Sequence, residues 1–141
     1  MRAGVLGGLV ALALIAPPAA AQVVGDCDSW IASARNVVWD DATRTFANGA
    51  IRLVLLDTTE PAAAAFHIMV TFPPPDDPFL DCRLVSAGEG LGFTSLSLER
   101  AHATYDPARG LTVEVPGLTY EGDALLVTFT VNQAAGTVTV P

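Results

Sequence analysis

"AFHIMVTF", residues 65–72, is the stretch from which the fold is read. From Phe66 onward its side chains alternate: Phe66, Ile68, Val70 and Phe72 fall on one face, and His67, Met69 and Thr71 on the other. A period of two belongs to an extended strand whose two faces meet different surroundings. The first set is expected in the core and the second on a polar face. "PPPDDP", residues 73–78, follows directly and cannot join a hydrogen-bonded ladder, because proline carries no backbone donor. It reads as an exposed, stiff crossover between sheets or edges. "FLDCRLVS", residues 79–86, then resumes the strand pattern, with Leu80, Cys82 and Leu84 expected on the packed side.

Outward from this pair of strands the same grammar repeats. "AIRLVLL", residues 50–56, follows Asn48-Gly49, a dipeptide suited to a type I′ hairpin turn. Asn36–Trp39 reads as a short first strand, and "DSWIASAR", residues 28–35, as one helical turn capped by Asp28 or Ser29. Toward the carboxyl end come "GFTSLSLE" (92–99), "HATY" (102–105), Leu111-Val113-Val115 with a bend at Pro116-Gly117, and "ALLVTFTV" (124–131). Val127, Phe129 and Val131 alternate inward in the last of these, and Asn132–Gly136 turns the chain into a final strand, Thr137–Val140. About eight or nine short strands with no intervening linker predict an all-β, immunoglobulin-like sandwich. It fills a single domain over residues 22–141.

The amino-terminal end speaks for export. Arg2 supplies a positive charge, Val5–Ile15 is apolar apart from glycine, and Pro17-Pro18-Ala19-Ala20-Ala21 closes the segment. That is the charge, apolar core and small-residue site of a secretory signal peptide over residues 1–21. The apolar run falls short of the roughly 20 residues a membrane span needs. The remaining chain is expected to be secreted or periplasmic, with no membrane attachment. In such an oxidising compartment Cys27 and Cys82 are expected to form one disulfide.

Charge excludes one class of partner. All seven basic residues are arginines, set against fifteen acids, for a net charge of −8. A nucleic-acid binder needs the opposite balance to meet phosphates. Anionic membrane surfaces are disfavoured for the same reason.

Two related stretches raise the question of a ligand site. Trp39-Asp40-Asp41-Ala42 and Tyr105-Asp106-Pro107-Ala108 each place an aromatic ring and an aspartate before a polar turn. In the second, Asp106 accepts bonds from its own turn, Pro107 presets the backbone and Gly110 takes a left-handed position, which predicts a four-residue hairpin loop. The first has Arg44 in place of the glycine and is expected to be a looser corner. Neither offers the six to eight oxygens that calcium takes. The segment Tyr105–Val131 also resembles a pattern of exported bacterial proteins, carried by Tyr105, Asp106, Gly110, Leu111, Val113, Pro116, Gly122 and Val127. That resemblance implies an exported all-β protein and brings no activity with it.

Sites of chemistry are sparse. His67-x-Met69 puts an imidazole and a thioether on one side of a strand, a pair that suits copper, but the further ligands copper needs are missing. No metal or cofactor is expected. There is no Gly-x-Ser-x-Gly nucleophile motif, and Gly88-Glu89-Gly90 carries an acid where a phosphate loop cannot. The carboxylate pairs Asp40-Asp41 and Asp76-Asp77 lie in turn-like sequence, where nothing raises an acid's pKa. The sequence therefore predicts a non-catalytic binding module for a protein or glycan of the envelope or exterior, with Trp30, Trp39 and Tyr105 as candidate contact residues. The alternative is a small carboxylate-dependent hydrolase using Asp40, Asp41 and His102.

Overall fold

The computed structural model describes residues 21–141, so the signal-peptide reading lies outside the described residues except at Ala21. Ten strands form two antiparallel five-stranded sheets. The first sheet runs β1 (Val23–Asp26), β5 (Asp81–Ser86), β4 (Phe66–Phe72), β3 (Ile51–Asp57), β2 (Thr43–Phe46). The second runs β10 (Thr137–Thr139), β9 (Ala124–Asn132), β8 (Gly110–Leu118), with β6 (Ser95–Leu96) and β7 (His102–Asp106) sharing the far side of β8. The fold is an all-β sandwich, and each sheet is built from consecutive strands.

Alternation places the core. Leu53, Ile68, Val70, Phe72 and Val85 of the first sheet meet Val113, Val115, Val127, Phe129 and Val131 of the second in one cluster. Each such side chain contributes about 1.5–3 kcal/mol by leaving water. Phe66 sits at the rim, half-buried. The Cys27–Cys82 disulfide is formed.

The outer face of the first sheet corrects the sequence reading. His67 is not on a solvated face but 1% exposed. Leu84 is buried, but in a second cluster with Ile31 and Leu56, against which Cys27, Val37 and Met69 pack. Register explains this, since Leu84 pairs with Met69 and Cys82 with Thr71, putting Leu84 and Cys82 on the side away from the sandwich core. The segment 27–37 folds over this face and hides it. Asn36 fixes the cover by donating from Nδ2 to the carbonyls of Trp30 (2.9 Å) and Ile31 (3.0 Å). Leu80 is 54% exposed because Phe79 N–H bonds Asp77 Oδ1, turning the chain, and the strand starts only at Asp81.

Other differences are local. Residues 73–80 join neighbours β4 and β5 of one sheet and are not a crossover between sheets. The helical turn falls at Ala34–Asn36 rather than throughout 28–35, and Val37 makes only a single bridge to Leu56 where a strand was expected. Ala47 (φ 52°), Asn48 (φ 54°, ψ 35°) and Gly49 (φ 86°) all take positive φ in a four-residue loop between Phe46 and Ile51, longer than the two-residue loop of a type I′ hairpin. Asp106 pairs with Gly110 around three residues, one fewer than expected.

Candidate functional site

Trp30, Trp39 and Tyr105 are all solvent-exposed, but on different elements. Trp30 belongs to the cover over the first sheet. Trp39 is 81% exposed at the tip of a bulge: Val38 N–H donates to Leu55 O (3.0 Å) and Leu55 N–H to Ala42 O (2.7 Å), so Trp39–Asp41 loops out between two bonds to one residue. Asp41 turns the chain there at φ 54°. The first aromatic-Asp stretch is thus an edge bulge and not a hairpin corner. The second is a hairpin corner: Tyr105 lies in β7, and Asp106 Oδ1 accepts from the amides of Ala108 (2.8 Å) and Arg109 (3.1 Å). Those bonds, the Ala108 amide first, hold the Asp106 carboxyl below its ordinary pKa.

The two resemble each other in sequence because aspartate serves either kind of turn. In neither place does the turn converge with other ligand groups. Among the described residues, no three His, Cys, Asp or Glu side chains gather as a metal would require.

The structure pairs histidines with partners the sequence did not indicate. His67 Nδ1 lies 2.7 Å from Ser86 Oγ. Burial lowers the His67 pKa, so the ring is neutral and the contact is a buried hydrogen bond. Among the described residues no acid bonds the ring, and Ser86 is only 5% exposed, so the pair is placed to satisfy two buried polar groups. His102 Nε2 meets Glu114 Oε2 at 2.8 Å across β7 and β8, whereas Asp40 and Asp41 sit on the bulge beside β3 in the other sheet.

A cleft of about 680 Å³ opens at the end of the sandwich where β3, β5 and β8 finish. Three loops frame it: residues 58–65, 87–94 and 119–123. Its apolar lining includes Pro61, Ala64, Leu91, Phe93, Tyr120 and Leu125. The loops are tied to one another through backbone. Gly92 N–H donates to Ala64 O (2.7 Å), Phe66 and Phe93 exchange a pair of bonds (3.0 and 2.8 Å), and Thr94 N–H donates to Leu118 O (3.1 Å). Thr94 Oγ1 lies between the carbonyls of Ala63 (2.5 Å) and Thr119 (2.7 Å) and donates to either. Thr58 closes its own loop on Ala65 through both its amide (3.0 Å) and its hydroxyl (3.2 Å).

Gly92 has to be glycine, since a Cβ there would collide with the carbonyl of Phe66 and lie 2.8 Å from that of Ala64. In sequence "GEGLGF" reads only as a loop. That its last glycine lets two loops meet is a tertiary fact without a local signal. Comparison with known protein families, characterised proteins and solved structures gives no match to this chain.

Proposed function

We propose that the protein is an exported, non-catalytic binding module that holds a protein or glycan ligand at the cleft on the end of its sandwich. The observation that carries this reading is the cleft's construction: an apolar lining inside a rim of loops hydrogen-bonded to one another. Preformed apolar concavities with a few polar groups are where ligands bind, and a rigid rim reduces the ordering cost of binding. Export is supported by the Met1–Ala21 pattern and by a disulfide of the kind that oxidising compartments maintain. The described residues include no helix long and apolar enough to cross a membrane.

Amide-resolved titration against a panel of oligosaccharides and peptides tests the binding role. The reading expects at least one ligand that shifts amides in 87–94 and 119–125. It fails if ligands shift only the Trp30–Trp39 region, or if the panel is turned over chemically. Intact-mass measurement of protein from the envelope fraction tests export. A chain starting at Gln22 supports it, and an unprocessed chain refutes it.

A further inference from the structure

The three loops around the cleft carry Asp57, Glu60, Glu89, Glu121 and Asp123 at or beside them, and no arginine. Glu121 and Asp123 line the cleft itself, and both are exposed. The loops around the apolar hollow are therefore acidic, although Arg100 lines the adjoining surface with Ala124, Leu125 and Leu126. With five acids against that one arginine, the balance favours a cationic ligand over an anionic one.

A second feature adjoins it. β10 pairs only with Thr130–Asn132 of β9, so among the described residues Ala124–Phe129 has no strand on that side. Thr128 N–H on this open side is met by Gln22 Oε1 at 3.0 Å. In an antiparallel ladder alternate residues turn their N–H and C=O to the same side. Ala124 and Leu126 thus present backbone groups to the same open edge as Thr128. Leu125, between them, lines the cleft.

Resting on the binding role proposed above, we infer that the ligand is an extended, basic peptide. Its backbone adds to the second sheet along Ala124–Leu126, in the manner of strand addition. One apolar side chain enters the cleft between Leu91, Phe93 and Leu125, and arginine or lysine side chains face Glu121 and Asp123. A glycan has no backbone to continue a ladder, and an uncharged chain makes no use of the acids.

The test uses three probes on the isotope-labelled protein: an eight-residue peptide alternating arginine with valine, its glutamate-for-arginine counterpart, and Nile red as an uncharged apolar probe. The basic peptide is expected to shift the amides of Tyr120, Leu125 and Leu126, and to bind about tenfold more tightly than the acidic one at low salt. High salt should erode that preference. The double variant Glu121→Gln/Asp123→Asn, at two exposed positions, should lose most of it while keeping the parent's melting temperature. If Nile red shifts the cleft amides but the two peptides bind equally or not at all, the peptide inference is overturned and the cleft stands as a binding site. If none of the three shifts those amides, the peptide inference is overturned, and the binding role is decided by the oligosaccharide panel.

Discussion

His67 Nδ1 and Ser86 Oγ meet at 2.7 Å on β4 and β5, one step beyond the Ile68–Val85 pair, on the face of the first sheet turned away from the sandwich core. Burial holds the imidazole below its ordinary pKa of 6.5, so the folded protein keeps it neutral. An unfolded chain takes up that proton first as pH falls. Stability is therefore intact above about pH 6.5 and declines below it, until the lowered folded value is reached. Urea unfolding at several pH values should show a steeper loss for the parent than for His67→Gln. The variant keeps a hydrogen-bonding group there and does not titrate, and His102 is common to both. Parallel curves would show that His67 is not buried as described.

The disulfide anchors the cover. In the chain-entropy model a loop of 55 residues corresponds to about 4 kcal/mol of constraint on the unfolded state. Cys27→Ser with Cys82→Ser should cost about 2–5 kcal/mol and speed hydrogen exchange at Leu56 and Leu84 before exchange at Val127 or Phe129. Uniform acceleration at both clusters would show that the cover has no independent opening.

Asn36 offers a separate handle on the same segment. Asn36→Ala leaves the carbonyls of Trp30 and Ile31 without its amide and should destabilise by about 1–3 kcal/mol. Denaturant titration measures this. A change near zero would mean water replaces the amide freely.

Gly92→Ala places a methyl group against the carbonyls of Ala64 and Phe66. It should lower the melting temperature and separate the loops that frame the cleft, since backbone and not a flexible side chain is in the way. Melting and amide shifts of Ala64 and Phe93 check it. Gly88→Ala is the control, because its Cβ would meet only Leu91 at an ordinary 3.7 Å. Equal effects at both positions would contradict the close approach.

At the Asp106 corner, Asp106→Ala removes two amide contacts and should cost about 1 kcal/mol. Gly110→Val should cost more, since φ 105° is closed to a β-branched residue and its Cβ would meet the Val131 carbonyl. Calcium should leave the melting temperature of both variants unchanged. A calcium-dependent rise in the parent that vanishes in Asp106→Ala would reverse the reading of this turn.

How far the sequence was legible depends on what each signal reports. Alternation in 66–72 correctly separates Ile68, Val70 and Phe72 from His67 and Met69, because the period is a property of the strand itself. It does not say what covers the second face, so the period alone reads His67 as solvated. In sequence Leu80 continues the inward set of "FLDCRLVS", but an Asp77 turn precedes the strand and Leu84 belongs to the opposite face. β1 has no local signature, because four residues with a glycine among them acquire strand character only from a partner some 60 positions away. Trp30, Trp39 and Tyr105, read from the sequence as candidate contacts, are exposed but lie on different elements, which no local pattern indicates. The cleft was not legible, because Pro61, Phe93 and Leu125 converge from three loops that no local pattern relates.

Within the first sheet every adjacent pair but one is a hairpin between neighbours in sequence; the exception is β1 with β5. Hairpins close over short loops and form quickly, whereas the β1–β5 contact must gather a long intervening stretch. Cys27 follows the last residue of β1, and Cys82 is the second residue of β5, so the covalent link falls on that one slow closure. Once the bond exists, refolding of the sheet is reduced to local steps.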